Sequence, residues 1–363
     1  MATNDLGSNY AHKSPLKSTS ILSLFLLLSL NQTPPVTSLI PNSSTNPSLT
    51  MSSQPLLRTI KQVLPATPKH WVGDGFHVHP VFASKAFTEE LSPFLMFDYA
   101  PPTHFPPIKA GKNPRGVGRH PHRGFETVTV AFQGEVEHAD SVGNRDVIRA
   151  GDVQWMTAGR GIVHEEYHGK EFSEMGGVLE MCQLWVNLPA EKKMTKPGYQ
   201  AILKGDIPSV EIFGASSEVG ECVVQSESIG RVRVIAGSFQ GTKGPASTFS
   251  PVELWDVILS KSDAVADLPF PEEYSCIVFV RRGKASILGE AGSVYELGPQ
   301  SVALTERKGG VLRVKAGEDD TSLLVMGGLP LNEPIAARGP FVMNTWDEIA
   351  QASRDFYSGN FGS

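Results

Sequence analysis

The chain of 363 residues is long enough for two domains, or for one large domain with tails. Its 32 basic and 38 acidic residues are well mixed and give a net charge of -6, so no basic stripe predicts direct binding to nucleic acid. The 35 glycines and 27 prolines, with only 19% charged residues, favour a turn-rich β protein over a helical bundle. Three cysteines without a C-x-x-C pair favour a reducing compartment over a disulfide scaffold.

Residues 1–56 differ in composition from everything after them and are predicted to be a disordered N-terminal extension. Their apolar run at residues 21–30 is too short to span a bilayer, which needs ~20 apolar residues. The run has the length of a signal-peptide core, but a secretory signal, an organellar transit peptide and a start at Met51 are all compatible with this segment. The compartment therefore stays open, with the cytoplasm or the nucleus favoured and no membrane span expected.

From residue 57 onward the chain has the alternation and the turn residues of a β protein. The Pro- and Gly-rich segment at 101–116 is predicted to be a loop, and a linker is predicted to start near Leu188. The segments at 126–132 and 147–158 alternate as half-buried strands do. Strands of the first half are predicted at residues 58–66, 73–82, 91–100, 126–132, 147–158 and 179–188.

The second half repeats the same arrangement of strands and turns. The spacing from Gly134 to Gly151 is close to the spacing from Gly283 to Gly298. In both intervals a strand ends at glycine, a hairpin follows, and a turn led by glycine starts the next strand. This similarity indicates an internal duplication.

The last segment of the chain, WDEIAQASRDFYSG, is predicted to be a helix. Asn344 or Thr345 is its expected N-cap, and Asp347 and Glu348 supply acidic groups to its first turn. Gly359 is the expected stop signal. We expect this helix to pack across the mouth of a barrel or across the joint between the two halves.

All ten histidines lie in the first half of the chain, so any metal chemistry is expected there. His120 and His122 are two residues apart, and so are His164 and Glu166. Because alternate residues of a strand point to the same face, the members of each pair project together. The same alternation selects Glu166 over Glu165 as the carboxylate. Three imidazoles and a carboxylate on two strands that face each other inside a β-barrel make a divalent metal site.

The strings around these residues resemble the cupin superfamily and, within it, the pirin family. HPHRGFETV carries the first cupin motif from His120 to Glu126, and GDVQWMTAGRGI leads to the third histidine, His164. LWVNLP follows in the order found in the family. The resemblance covers residues 57–345. The first motif has one residue more than its common form and the second motif has two.

The resemblance implies an all-β fold: two cupin (jelly-roll) β-barrels in tandem with a short C-terminal helix, and metal in the first barrel alone. An N-terminal metal-binding barrel is expected at residues 57–188. A linker with connecting strands is expected at 189–230, and the C-terminal barrel with the terminal helix at 231–363. A monomer is expected.

In the pirin family, iron is held by the two histidines of HPH and by the His and Glu of the H-x-E segment. Carried over, these ligands are His120, His122, His164 and Glu166. Such a set favours Fe(II), although Zn, Mn, Ni or Cu fit the same ligand types. Glu166 is expected to be both a ligand and the catalytic general base for a phenolic proton. In other cupins the glutamate of the first motif, which is Glu126 in this chain, is a metal ligand. Here Glu126 is expected on the face of His120 and His122, beside the site or as a distant ligand.

The other histidines are expected to be structural. His77 and His79 have ligand spacing, but they lie on an early strand without a cupin counterpart. His104 is expected to face solvent, and His138 is expected in a turn at the end of a hairpin. His168 matches the trailing polar residue of the second motif only loosely.

Four further side chains near the motifs have expected roles. Arg123 and Gln154 are candidates for contact with the ligands, without a decisive argument for either. Trp155 and Trp185 are expected in the core rather than as stacking platforms for a ligand.

Three functions are compatible with the resemblance. The favoured one is a metal-dependent dioxygenase that carries out 2,3-dioxygenation of quercetin-like flavonols with O2. The alternative is a non-enzymatic, redox-sensitive transcriptional co-regulator that acts through protein partners. The third is a cupin that binds a metal or a small molecule without turnover. Turnover of quercetin separates the first function from the other two.

Overall fold

The computed structural model describes residues 56–362, except for 84–89, 110, 215–217, 220–221 and 224–226. The predicted N-terminal extension, with its apolar run, lies outside the described residues apart from Leu56. No helix among the described residues combines the length and the apolar character needed to cross a bilayer.

The first half of the chain is built mainly from strands, and its described residues include a short helix, α1 (Lys170–Met175). In chain order the strands are β1 (Ile60–Leu64), β2 (His70–Val72), β3 (Phe76–Phe82), β4 (Phe94–Phe105), β5 (Gly116–His122), β6 (Phe125–Gln133), β7 (Glu135–Asp140), β8 (Arg145–Arg149), β9 (Val153–Thr157), β10 (Ile162–His168), β11 (Gly177–Asn187) and β12 (Gly198–Ile202). A seven-stranded sheet has the order β12-β9-β6-β11-β4-β3-β2. A four-stranded sheet with the order β5-β10-β7-β8 faces it and completes the first barrel.

The second half is also built mainly from strands, and it ends in the helix α2 (Trp346–Ser358). Its strands are β13 (Ser209–Phe213), β14 (Glu218–Val219), β15 (Cys222–Val223), β16 (Ser228–Ala236), β17 (Ser238–Phe239), β18 (Thr242–Lys243), β19 (Val252–Leu259), β20 (Val265–Pro269), β21 (Ser275–Arg282), β22 (Ala285–Leu288), β23 (Val294–Leu297), β24 (Val302–Thr305), β25 (Val311–Ala316), β26 (Thr321–Gly328), β27 (Ala336–Arg338) and β28 (Phe341–Met343). A seven-stranded sheet, β1-β24-β21-β26-β19-β16-β13, faces a four-stranded one, β20-β25-β22-β23.

The two halves are duplicates of one architecture. Each pairs a seven-stranded sheet with a four-stranded sheet, and the strands follow one another in the same relative order except for the edge strands β12 and β1. β6 of the first barrel corresponds to β21 of the second, and β10 corresponds to β25. The chain is therefore a tandem pair of jelly-roll barrels, as the internal duplication predicts.

Strands cross between the two barrels. β1 falls within the range expected for the N-terminal barrel, 57–188, yet it pairs antiparallel with β24 and completes the second sheet. β12 lies within the expected linker, 189–230, and completes the first sheet by pairing with β9. β13 lies in the same linker and pairs with β16 of the second barrel. Alternation in the sequence identifies a strand but not its partner, since the partner lies far away along the chain.

Both faces of β6 are buried, although its alternation predicts a half-buried strand. Val128 and Val130 face a core that the two large sheets share. The same core contains Phe97 and Tyr99 of β4, whose rings lie 4.8 and 5.0 Å from the ring of Phe279 in the second barrel. Thr127 and Thr129, which alternate with these valines, consequently line the interior of the first barrel instead of facing water.

The strand β4 extends five residues into the predicted loop at 101–116 and ends at Phe105. Pro101 and Pro102 are accommodated because its pairing with β11 shifts register between Leu179 and Met181. Such an irregularity tolerates residues that cannot donate a ladder hydrogen bond.

A buried ionic network joins the two large sheets. Glu180 of β11 is fully buried and accepts hydrogen bonds from Arg281 Nη1 and Tyr99 Oη, each at 2.8 Å. Arg282 Nη2 also contacts its carboxylate. Arg281 lies within 3.7 Å of a second carboxylate, that of Asp256. The barrels are thus held together by this buried ionic network as well as by the shared core.

The predicted C-terminal helix is confirmed as α2. Its N-cap is Thr345, whose Oγ1 accepts from Glu348 N at 3.3 Å, while Glu348 Oε2 accepts from Thr345 N at 2.8 Å. This reciprocal pair is a capping box. Gly359 ends the helix in the left-handed conformation, with φ 81.

The helix and the residues after it return to the first barrel. Arg123, which directly follows the HPH string, donates to Asp355 Oδ2 at 2.7 Å. The guanidinium of Arg123 also lies 4.7 Å from the centre of the Phe361 ring. Arg160 Nε donates to Gly362 O at 3.1 Å. The tail therefore covers the end of the first barrel where β5 finishes.

Lys193 connects this tail to the first barrel. It is 1% exposed, and its Nζ donates to Gly124 O at 2.8 Å, Asn187 Oδ1 at 2.6 Å and Val342 O at 3.1 Å. Three acceptors use the three protons of an ammonium group. One side chain thus joins the turn after β5, the end of β11 and strand β28.

Replacing Lys193 with Met is expected to lower the free energy of unfolding by about 2–4 kcal/mol, because three buried acceptors lose their donor. Urea denaturation measures the change. Lys192→Met is the matched control: its side chain is 45% exposed and pairs with Glu191 at 3.3 Å, so about 0.5 kcal/mol or less is expected. Equal losses for the two variants would contradict the assigned role of Lys193.

Candidate metal centre

The three predicted histidines meet inside the first barrel. β5 and β10 are antiparallel neighbours, with His120 opposite His164. The ring centroids lie 4.9 Å apart for His120 and His122, 4.3 Å for His120 and His164, and 4.8 Å for His122 and His164. One ligand nitrogen from each ring lies within 4.8 Å of the others. We call these three residues the outer triad.

The outer triad has the protonation and the free lone pairs that a metal ion requires. Burial, with a smaller effect of the neighbouring rings, holds the pKa of His122 and His164 well below the usual value, and burial also lowers the pKa of His120. His120 Nδ1 lies 2.8 Å from Gly118 O, which leaves Nε2 for a ligand. His122 Nδ1 and His164 Nε2 are buried and have no hydrogen-bond partner in the described part of the chain. Neutral imidazoles with unpartnered nitrogens fit a divalent metal.

Glu166 lies two residues beyond His164 on β10, but its carboxylate does not cluster with the whole outer triad. It lies near His164 and near a further histidine, His138. Its Oε2 accepts from Gln183 Nε2 at 2.9 Å, and its Oε1 lies 3.4 Å from Thr129 Oγ1. Its carboxylate forms a second cluster with His138 and His164, again within 4.8 Å. We call this cluster the inner triad. The four predicted ligands are thus divided between two triads that share His164.

His138 is the residue of the site that sequence reasoning missed. The expectation that it lies in a turn is wrong, because β7 continues through Asp140 and the turn begins one residue later. The ring of His138 is buried, with Nδ1 3.4 Å from His164 Nδ1 and Nε2 3.3 Å from Asp140 Oδ2. The available signal was the spacing of His138 and Asp140, which places both on one face of the strand.

A row of four polar side chains crosses the inner face of the large sheet. Asp98 is opposite Gln183, Gln183 is opposite Thr129, and Thr129 is opposite Gln154. We call these residues the polar row. Gln183 and Thr129 contact the carboxylate of the inner triad, and Gln154 Nε2 lies 3.3 Å from His138 Nδ1. The polar row therefore orients the inner triad, and it gives Gln154 the contact with the site for which it was a candidate.

Glu126 belongs to neither triad. The expectation that it shares a face with the two histidines of HPH is wrong, because the chain turns at Gly124, with φ 88, and Glu126 lies on the next strand. There it shares the face of Val128, which packs in the core between the barrels. Its carboxyl accepts from Thr157 Oγ1 at 2.7 Å, and burial raises its pKa to about 7.

Four other histidines lie outside the site. His77 stacks on Trp71 with a centroid distance of 4.5 Å. His79 Nδ1 contacts a backbone carbonyl, and His168 Nε2 lies 2.8 Å from another. His104 is exposed, as predicted. None of these four belongs to either triad.

Trp155 is fully buried in the core between the barrels, as predicted. Trp185 is buried as well, but its ring also lies 5.3 Å from the ring of His122, so it forms a wall of the site. Arg123 does not turn toward the ligands; it pairs with Asp355 of the tail.

The corresponding place in the second barrel is apolar. β20 and β25 occupy the positions of β5 and β10, with Ala266 opposite Val314 and Leu268 opposite Leu312. All four side chains are buried in the hydrophobic core of that barrel. Within the described residues, both candidate metal clusters lie in the first barrel.

Two jelly-roll barrels in one chain, with histidines and a glutamate clustered inside the first, define a bicupin with a candidate metal centre. Residues 75–186 match the pirin family, and residues 254–362 match the pirin C-terminal cupin domain. The chain belongs to the pirin family.

Its relatives carry two kinds of name. A Pseudomonas aeruginosa protein named "Putative quercetin 2,3-dioxygenase" is 48% identical over 293 residues, which cover 81% of this chain and 94% of the relative. A "Pirin-like protein" from Solanum lycopersicum is 36% identical over 274 residues, covering 76% of this chain and 83% of the relative. The crystal structure of a quercetin 2,3-dioxygenase from Acinetobacter baumannii is 45% identical and superposes with a TM-score of 0.75, covering 85% of this chain and 99% of that one.

Proposed function

We propose that the protein is an iron-dependent dioxygenase of quercetin-like flavonols, with His120, His122, His164 and Glu166 as metal ligands. The observation that carries the proposal is the outer triad, in which the two buried rings, His122 and His164, each leave one nitrogen without a partner among the described residues. Fe(II) is the metal that histidines with one carboxylate favour. The names of the relatives supply the substrate class, a flavonol, and its co-substrate, O2.

When bound, Fe(II) supplies a Lewis acid and a one-electron donor beside the substrate. Glu166 supplies the base. Gln183 holds its Oε2 at 2.9 Å, whereas its Oε1 makes only the long 3.4 Å contact with Thr129 and keeps a lone pair for a phenolic proton. The ring of Trp185 packs against Phe125 and meets the ring of His122 edge to face at 5.3 Å, so it bounds the site beside the metal ligands.

The test is oxygen uptake by iron-loaded protein with quercetin, with metal content measured in parallel. The parent is expected to consume O2 only when both iron and quercetin are present. Glu166→Gln is expected to lower kcat about 10²–10⁴-fold, because the amide cannot accept the proton. It is expected to keep bound iron through the histidines.

Glu165→Gln is the matched control, since Glu165 is the adjacent carboxylate on β10 and is absent from both triads. It is expected to turn over like the parent. Parental turnover by Glu166→Gln would remove the base role. Absence of any quercetin-dependent O2 uptake by the iron-loaded parent would overturn the dioxygenase itself.

A further inference from the structure

Asp98 is the one member of the polar row without a contact to the triads. The cross-strand neighbour of Asp98 is Gln183, and directly opposed residues in an antiparallel sheet have Cβ atoms about 4.5–5.5 Å apart. Gln183 reaches Glu166 from this position. Asp98 therefore lies one strand further along the same row, beside the side chain that holds the carboxylate of the inner triad.

The side chain of Asp98 points into the first barrel. Its chain neighbours Phe97 and Tyr99 both pack against Phe279 of the second barrel. Because successive residues of a strand point to opposite faces, Asp98 must point the other way. The inner face of the sheet is the face that Gln183 and Thr129 present to the site.

The Asp98 side chain is largely buried and its carboxyl has no partner among the described residues, although the carboxyl oxygens keep some accessible surface. The residue is 7% exposed, and it makes no hydrogen bond or ion pair with any residue that the structure describes. Burial raises its pKa to about 7. Burying a carboxyl without a hydrogen-bond donor destabilises a fold, so a group of this kind inside a site is typical of a ligand contact.

The neighbouring row of the sheet, which contains Trp185, carries buried polar atoms that also have no partner among the described residues. Trp185 is opposite both Met96 and Thr127, two residues along from the pair of Gln183 and Asp98. Trp185 Nε1 and Thr127 Oγ1 are buried, and neither has a hydrogen-bond partner among the described residues. One wall of the barrel thus carries an unpartnered acceptor, an unpartnered donor and a large aromatic face.

We propose that Asp98 binds a hydroxyl group of the substrate, at a subsite where the substrate ring lies against Trp185 and Met96. An acceptor on one row and a donor on the next fit a planar molecule that carries both a hydroxyl donor and a carbonyl or hydroxyl acceptor. A polyhydroxylated aromatic ketone has this pattern. The subsite rests on the proposed function for its substrate class, and it adds the contact that selects hydroxylated rings.

The experiment measures the binding of quercetin and of unsubstituted flavone, which lacks hydroxyl donors, to metal-loaded protein by tryptophan fluorescence. Asp98→Asn and Asp98→Leu are compared with the parent. Both variants are expected to weaken quercetin binding about 10–100-fold and to leave flavone binding unchanged, because only quercetin has a hydroxyl to lose. Metal content is expected to stay at the parental value. The control Asp267→Asn, an exposed carboxylate of the second barrel paired with Arg313, is expected to bind both ligands like the parent.

A thermal melt separates a binding role from a structural one. Asp98→Leu is expected to raise the melting temperature by about 2–4 °C, because it removes an unpartnered buried carboxyl, whereas a structural aspartate would melt lower when replaced. In steady-state kinetics, Asp98→Asn is expected to raise KM more than it lowers kcat.

The outcomes distinguish the subsite from the dioxygenase. Parental affinity for quercetin in both Asp98 variants overturns the subsite, even if the protein turns quercetin over. Quercetin binding that depends on Asp98, without O2 uptake by the parent, supports the subsite and overturns the dioxygenase. A parent that binds neither quercetin nor flavone overturns both.

Discussion

Replacing His164 with alanine is expected to abolish tight metal binding, with an affinity loss well above the roughly 10–100-fold that follows removal of a residue supporting a ligand. His164 is the residue that the outer and inner triads share, so its loss leaves only two ligands in each. Isothermal titration with Fe(II) under anaerobic conditions, or competition with a chelator, measures the change. Far-ultraviolet circular dichroism checks that the variant is folded.

Two further variants locate the ion. His122→Ala removes a ligand of the outer triad alone, and His138→Ala removes one of the inner triad alone. If the metal is held by the outer triad, His122→Ala is expected to approach the loss seen for His164→Ala, while His138→Ala costs about 10–100-fold. The reverse order would place the ion in the inner triad. His77→Ala, outside both triads, is the control and is expected to bind like the parent.

Replacing Arg281 with Met is expected to lower the free energy of unfolding by about 3–5 kcal/mol, the cost of removing one partner from a buried ion pair. Arg281 Nη1 donates to the fully buried Glu180 at 2.8 Å across the joint between the barrels. Without it, the Glu180 carboxylate stays buried with reduced compensation. Urea denaturation measures the loss, and a lower melting temperature is expected to accompany it.

Arg282→Met is the matched control, since Arg282 also contacts Glu180 but its side chain is 46% exposed. A loss of about 1 kcal/mol or less is expected for it. Burial raises the pKa of Glu180, but Arg281 and Arg282 outweigh this effect and hold the pKa below its usual value of 4.5. The stability from such a lowered carboxyl is present above the unfolded pKa and is lost as the pH falls through the folded pKa. The difference in the free energy of unfolding between the parent and Arg281→Met is therefore expected to shrink below pH 4.5. A difference that grows there would contradict the role of the buried ionic network.

The all-β duplicated fold could be predicted from local signals, because alternation and glycine turns are properties of neighbouring residues. The assignment of strands to barrels could not. β1 has the sequence of an ordinary edge strand, and nothing within Ile60–Leu64 records that its partner is β24. The end of β4 was hidden for a related reason, since Pro101 is tolerated only through an irregular pairing with β11.

The outer triad could be predicted because its members obey a spacing of two within short strands. The same rule failed for Glu126, since it was extended across the turn at Gly124 into another strand. His138 was missed because β7 continues to Asp140, so that the turn containing Gly143 begins after His138 and not at it. Asp98 was concealed within a long apolar run, LSPFLMFDYA, and its direction is known only from the packing of Phe97 and Tyr99.

The crossing of β1 into the second barrel, and of the α2 tail back onto the first, has a consequence for how the molecule comes apart. Neither half of the chain contains all the segments that complete its own barrel. The second barrel is completed by β1, at the start of the described chain, and the first barrel is covered by the α2 tail at its end. Heating is therefore expected to give a single cooperative transition rather than two independent ones. Separately expressed halves would each be missing a part, and only co-expression of both pieces would restore the whole.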